Sequence, residues 1–242
     1  MGKFIEKIVA KQNDEMHNPA VTIAFLGDSV TQGCFEVYCK AENSIETVYD
    51  KSSAYHTYLA KIFSVLCPSV PLNIINAGIS GDNAAHGFER IEKDVISHGP
   101  DLVVVCFGLN DCWRREDGLE RYITALTNIF NRLKETGCEI VFMTPNTMCT
   151  TVDYRIPEQM IKDIARETAE IQNAGVLDMY INEAKKLCAE KGITVCDCYA
   201  KWKKLETSGI ATTPLLSNYI NHPTREMNWL FAYSLVETIF NM

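Results

Sequence analysis

Four residues set far apart in this 242-residue chain carry the groups that acyl transfer requires. Ser29 offers a hydroxyl, His222 an imidazole that can take its proton, Asn110 a side-chain amide, and Gly81 a main-chain N–H. A serine hydroxyl is a weak nucleophile until a neighbouring base removes its proton, and the tetrahedral intermediate needs donors aimed at its oxyanion. The N–H of Ser29, the N–H of Gly81 and Nδ2 of Asn110 are the candidate donors. Plainer readings exist: Gly27-Asp28-Ser29 is also an ordinary turn tripeptide, and a serine at a strand-to-helix junction is often only a cap.

These residues can meet only if the elements before them line up. Val21–Leu26, between Pro19 and Gly27, is a continuous apolar run that fits a parallel strand covered on both faces. Leu72–Ala77 reads as a second strand and Asp101–Phe107 as the clearest one, and each runs into a turn of small residues, Gly78-Ile79-Ser80-Gly81 and Gly108-Leu109-Asn110-Asp111. Cys138–Met143 and Ile193–Asp197 complete a set of five strands. Helical spacing covers Tyr55–Leu66, Ala84–Ile96 with Phe88, Ile91 and Val95 on one face, Gly118–Thr136, Val176–Lys191, and Thr224–Phe240. In the last, Thr224 is the expected N-cap, with Met227 and Leu230 facing inward. Residues 34–53 and 202–217 read as irregular, and 146–173 as polar loop with a charged segment over 161–171. Strands alternating with helices argue a three-layer α/β/α sandwich with a parallel sheet, as one domain over residues 1–242. In such sheets ligands collect outside the carboxyl ends of the strands, which is where Ser29, Gly81 and Asn110 fall.

Composition narrows the classes. A net charge of −8 and a pI near 5.2 leave no basic field for nucleic acid. The first eleven residues interleave charge and apolar side chains as a short amphipathic helix does, and no apolar run reaches membrane-spanning length, so no membrane partner is expected. Several of the ten cysteines, Cys106, Cys138, Cys188 and Cys196 among them, sit in expected strands or helices where a reduced thiol serves as a small hydrophobe, which points to a cytoplasmic protein. Cys196-Asp197-Cys198 is too tightly spaced for a zinc knuckle. No P-loop, GxGxxG or HExxH occurs, and neither cofactor nor metal is called for. A small-molecule ester is the expected partner; oligomeric state is left open.

Gly27-Asp28-Ser29, the Gly78–Gly81 turn, Gly108-Leu109-Asn110-Asp111 and His222-Pro223, in this order across most of the chain, resemble the four blocks of the SGNH (GDSL) hydrolase family. The resemblance implies a flavodoxin-like sheet of five parallel strands. It also implies an esterase with Ser29 as nucleophile, His222 as base, and Ser29 N–H, Gly81 N–H and Asn110 Nδ2 as oxyanion hole. Family members typically place an aspartate three residues before the histidine, and that position is Tyr219 here. The imidazole must still carry its proton on Nδ1, because a wrong tautomer costs about 10⁴ in rate. The expected acceptor is the main-chain oxygen of Tyr219, with the side chain of Asn218 and the Asp197 carboxylate as alternatives. Asp28 and Asp111 are expected to brace their own turns, and His17, His56, His86 and His98 to be surface or packing residues. No G-x-S-x-G elbow is present, which disfavours the larger α/β-hydrolase family.

Residues 34–53, with Tyr38, Glu42 and Tyr49, and residues 146–173 are expected to wall the cleft. Their polarity favours short acyl groups, such as acetyl, on a polar or carbohydrate carrier. The missing aspartate keeps a ligand-binding module on the same fold as the alternative, and a lysophospholipase- or thioesterase-type acylhydrolase is the other.

Overall fold

The computed structural model describes residues 2–41 and 44–242. In chain order, α1 (Lys3–Asn13) precedes β1 (Val21–Gly27), the single helical turn α2 (Ser29–Gln32), and the strands β2 (Cys34–Ala41) and β3 (Ser44–Tyr49). Then come α3 (Tyr55–Leu66), β4 (Leu72–Gly78), α4 (Ala84–Asp94), β5 (Leu102–Cys106) and α5 (Leu119–Thr136). The remainder is β6 (Glu139–Met143), α6 (Gln159–Asn173), α7 (Val176–Lys191), β7 (Thr194–Cys196), α8 (Cys198–Thr207) and α9 (Asn228–Phe240).

Five parallel strands form one sheet in the order β4-β1-β5-β6-β7. Helices cover both faces: α3 packs on α9 on one side, while α4, α5 and α7 pack in succession on the other. This burial on two sides is why β5 is apolar at every position and fully buried. The expected flavodoxin-like α/β/α sandwich is thus the fold observed.

The register fixes what emerges from the sheet. Gly27 at the end of β1 pairs with Gly78 of β4 on one side and Cys106 of β5 on the other. The turns carrying Gly81, Ser29 and Asn110 therefore leave the sheet side by side. The gap between β1 and β5, where the chain's direction of travel across the sheet reverses, is the switch point at which such folds bind ligands.

Beside the main core lies a smaller one. It gathers Cys149, Ile156, Ile161, Ala165, Ala169, Trp202, Leu216 and Ile220, with Val37, Cys39 and Ile45 of the β2–β3 pair packed against it. The structure departs from expectation in the segments that build it. Residues 34–41 and 44–49 pair as two antiparallel strands, a hairpin instead of an irregular loop, with Val37 and Cys39 turned to the smaller core, Tyr38 and Lys40 exposed, and the register shifted between Cys34 and Val37. Glu42 lies outside the described residues. Within 146–173 the charged segment is a full amphipathic helix, and α8 occupies the start of the stretch expected to be irregular. The last helix begins at Asn228, with the Thr224 hydroxyl accepting from Met227 N in the turn before it. On α4 the buried face is Gly87, Arg90 and Ile91, and Phe88 is exposed.

Candidate active site

Ser29 opens the helical turn α2, immediately after Asp28, whose carboxylate accepts from Val30 N at 3.0 Å. The turn is seated on bare glycine backbone. A Cβ at Gly27 would lie 2.1 Å from Thr31 Oγ1, and one at Gly78 would lie 2.3 Å from Gln32 N, so neither strand end tolerates a side chain. Thr31 is held in turn by Tyr55, 2.9 Å between hydroxyls. Ser29 is consequently fixed and only 4% exposed.

His222 reaches it from the other end of the chain. Ser29 Oγ lies 2.9 Å from His222 Nε2, and His222 Nδ1 lies 2.7 Å from the main-chain oxygen of Phe35 on β2. A carbonyl can only accept, so Nδ1 carries the proton and Nε2 presents its lone pair to the hydroxyl. Burial pushes the imidazole down to about 4, against the pull of the Phe35 hydrogen bond and the Glu36 charge, so the ring is neutral at neutral pH. The loop carrying the ring is held by Asn218, whose side-chain oxygen accepts from the main-chain N–H groups of Ile220, Asn221 and His222 at 2.9–3.0 Å. Asn146 Nδ2 adds a bond to Asn221 O at 2.9 Å.

The orienting acceptor therefore differs from the three expected. Asn218 spends its oxygen on the loop's own amides. Asp197 caps α8 through Ala200 N, accepts from Thr144 Oγ1 and pairs with Lys185. Tyr219 adopts a left-handed backbone, φ 56°, and its ring lies 4.4 Å beneath the Arg155 guanidinium. The acceptor that meets Nδ1 comes instead from a residue 187 positions away. No local spacing could reveal it, although the period-two alternation through Phe35, Val37 and Cys39 is the signal that would have placed a strand there.

The three donor candidates stand on turns that leave neighbouring strand ends at the switch point. Asn110 Nδ2 donates one hydrogen to Asp82 O at 2.8 Å, which leaves its second hydrogen free to point elsewhere. Gly81 has φ +77°, and nothing lies within 4 Å of where a Cβ would stand, so that side of the turn is open. Among the described residues, neither Ser29 N nor Gly81 N has an acceptor. Such N–H groups are left free to take an acceptor from outside the turn.

Arg90, a residue that sequence reasoning passed over, braces this loop. It donates to Asp82 Oδ2 at 2.7 Å, to Ala77 O at 2.7 Å and to Gly27 O at 3.0 Å, which ties the ends of β1 and β4 to the Gly81 turn. Its only advance signal was an arginine among the inward positions of an amphipathic helix. Asp28 braces its own turn through Val30 N, whereas Asp111 Oδ1 reaches outside its turn and accepts from Ala84 N at the start of α4, at 3.0 Å. Burial, with the neighbouring carboxylates adding, pushes Asp28 up to about 7 and Asp111 up to about 6. His56 is buried, whereas His17 and His86 lie beside Asp14 and Asp82. Tyr38 and Tyr49 of the hairpin and Tyr154 of the 146–158 loop are all exposed. All ten cysteines are free thiols, with Cys196 and Cys198 Sγ 3.8 Å apart. No helix of the described residues is long and apolar enough to cross a membrane.

Residues 25–230 match the GDSL-like lipase/acylhydrolase family. An acetylxylan esterase of Geobacillus stearothermophilus is 28% identical over 163 residues, covering 60% of this chain and 72% of its own. An arylesterase of Vibrio mimicus is 26% identical over 163 residues, covering 61% of this chain and 76% of its own. The crystal structure of the acetylxylan esterase of Geobacillus stearothermophilus shares the fold, with TM-score 0.66 at 20% identity over 90% of this chain and 94% of that one. Catalytic mutants of that enzyme replace a serine, a histidine and an aspartate three residues ahead of the histidine, the position that Tyr219 holds here. With a match over more than four-fifths of its length, this chain belongs to the GDSL-like lipase/acylhydrolase family of SGNH hydrolases and is a serine ester hydrolase.

Proposed function

We propose that this esterase removes short acyl groups, acetyl foremost, from a polar carrier such as a sugar, using a Ser29–His222 dyad. The observation that carries the reading is the continuous relay from Ser29 Oγ through the neutral His222 ring to the Phe35 carbonyl. Nε2 takes the hydroxyl proton as Oγ attacks the ester carbon, and the oxyanion that forms is met by Ser29 N–H, Gly81 N–H and Asn110 Nδ2. The imidazolium then gives its proton to the departing alkoxide. Water repeats the cycle on the acyl-enzyme. Phe35 O accepts the Nδ1–H bond at every stage, which keeps the tautomer correct, but it brings no formal charge to the imidazolium.

The carrier reading is supported by the rim and by the relatives. Tyr38, Tyr49 and Tyr154 present exposed aromatic faces on the segments expected to wall the cleft, surfaces suited to sugar rings, and the esterase of Geobacillus stearothermophilus acts on acetylxylan by its name. The free thiols support work in a reducing, cytoplasmic setting, and the one five-stranded parallel sheet supports reading the chain as a single domain. Acetate release from acetylated xylooligosaccharides, compared with hydrolysis of nitrophenyl acetate and octanoate, tests this. Turnover is expected to fall steeply from acetyl to octanoyl and to vanish in Ser29→Ala. A preference for octanoate makes the enzyme a lipid acylhydrolase instead, and turnover surviving in folded Ser29→Ala removes the dyad.

A further inference from the structure

The hydrogen bond that orients His222 is flanked on both sides by one ion-pair cluster. Arg225 follows His222 by three residues, and Glu36 follows Phe35 by one. Arg225 Nη1 and Nη2 grip Glu36 Oε1 and Oε2 at 2.6 and 3.1 Å, and Arg225 Nε reaches Asp50 Oδ2 at 3.0 Å. The guanidinium also lies 4.4 Å from the centre of the Phe35 ring. Glu36 belongs to β2 and Asp50 follows β3, so a single arginine from the histidine's own segment clasps both strands of the hairpin. Asp50 N in turn bonds Gly33 O at 2.9 Å, which ties the clasp back to the end of the serine's helical turn.

We propose that Arg225 and Glu36 are positioning residues that hold the Phe35 carbonyl against His222 Nδ1, making the β2–β3 hairpin part of the catalytic apparatus. The physical case is one of distance. A main-chain oxygen on a two-stranded ribbon has no charge to draw the imidazole to it, and such a ribbon is marginal by itself. A bidentate arginine–carboxylate pair supplies directional hold that a point charge cannot. It acts within one residue of the acceptor and three of the donor. The arrangement rests on the reading of Ser29 and His222 as the reacting pair, and its test separates the two.

The test is kinetic and spectroscopic, on the full chain, with nitrophenyl acetate as substrate. Arg225→Met should lower kcat by roughly 10- to 100-fold with KM within about threefold, the scale of an ångström's misplacement of a reacting group. Arg225→Lys should recover only part, because the fork is lost. Glu36→Gln keeps the side chain's size and carries the test if Arg225→Met does not fold. The charged groups about the ring are Glu36 and Asp50 on the hairpin side, Arg225 on the histidine's segment and Asp28 beside Ser29. Removing the guanidinium unpairs Glu36, so the acid limb of kcat/KM should move up in Arg225→Met; in Glu36→Gln it should move down. A structural loosening alone would move both the same way, and that result overturns the proposal. In a Ser29→Ala background, which has no turnover to report, the Nδ1–H proton of His222 should exchange faster when Arg225→Met is added. Unchanged exchange together with unchanged kcat also overturns it, while residual turnover in Ser29→Ala alone would strike the dyad and not the clasp.

Discussion

Acidification is the most direct probe of the buried base. An ordinary histidine titrates near 6.5, and burial at this site pushes His222 down to about 4. Only the neutral ring can accept the Ser29 proton, and kcat/KM follows the free enzyme's ionisation. At pH 5.5 a ring titrating at about 4 is about 97% neutral, whereas one at about 6.5 is about 9% neutral, so the enzyme should be about tenfold more active there than an unperturbed base allows. Acetate release in stopped-time assays, from pH 3.5 to 8, gives the profile without relying on a chromophore that itself titrates. Stability carries the matching sign: His222's folded value lies below its unfolded one, so its contribution is present above 6.5 and is lost as pH falls through 4. Asp28 works oppositely, because its folded value of about 7 lies above the unfolded 3.8, and its contribution is lost as pH rises through 7. Intrinsic fluorescence across the series separates unfolding from titration. An acid limb at 6 or above in folded protein would refute the buried, carbonyl-oriented base.

Two further outcomes follow from the site's hydrogen bonds. Asn110→Ala should lower kcat by about 10²–10³ with a modest change in KM, as for loss of one oxyanion donor; a rise in KM with kcat intact would make Asn110 a ground-state binding residue. Since Asp197 is occupied at the start of α8 and Nδ1 already has its acceptor, Asp197→Asn and Tyr219→Phe should each leave kcat within about threefold, and Tyr219→Asp should bring no large gain. A loss near 10³ in Asp197→Asn, in folded protein with KM unchanged, would restore that carboxylate as the histidine's partner.

The central strands β1 and β5 were legible because they are buried on both faces and therefore written as nearly uninterrupted apolar runs, whereas the edge strand β4, with Asn73 exposed, carries a weaker signal. Ser29, Gly81 and Asn110 were legible because each stands just past the end of an expected strand, and the register brings those ends level. Half-buried elements were harder. In β2, Glu36, Tyr38 and Lys40 alternate with the inward residues, so mean polarity hid a strand that only the period of two discloses. The histidine's partner was hidden more deeply, since a main-chain oxygen has no residue type. Arg90 and Arg225 look like surface arginines in the chain, and only the fold shows that one is enclosed by four acceptors and the other by two carboxylates.

Ser29 is anchored in the main core through Val30, whereas the segment carrying His222 is rooted through Leu216 and Ile220 in the smaller one. Their 2.9 Å contact is thus a joint between two separately packed bodies, not a feature internal to either. Local opening of a small body costs less free energy than global unfolding, and a joint of this kind parts as soon as one side shifts. Opening of the smaller body alone should therefore end activity while the sheet and its helices remain intact.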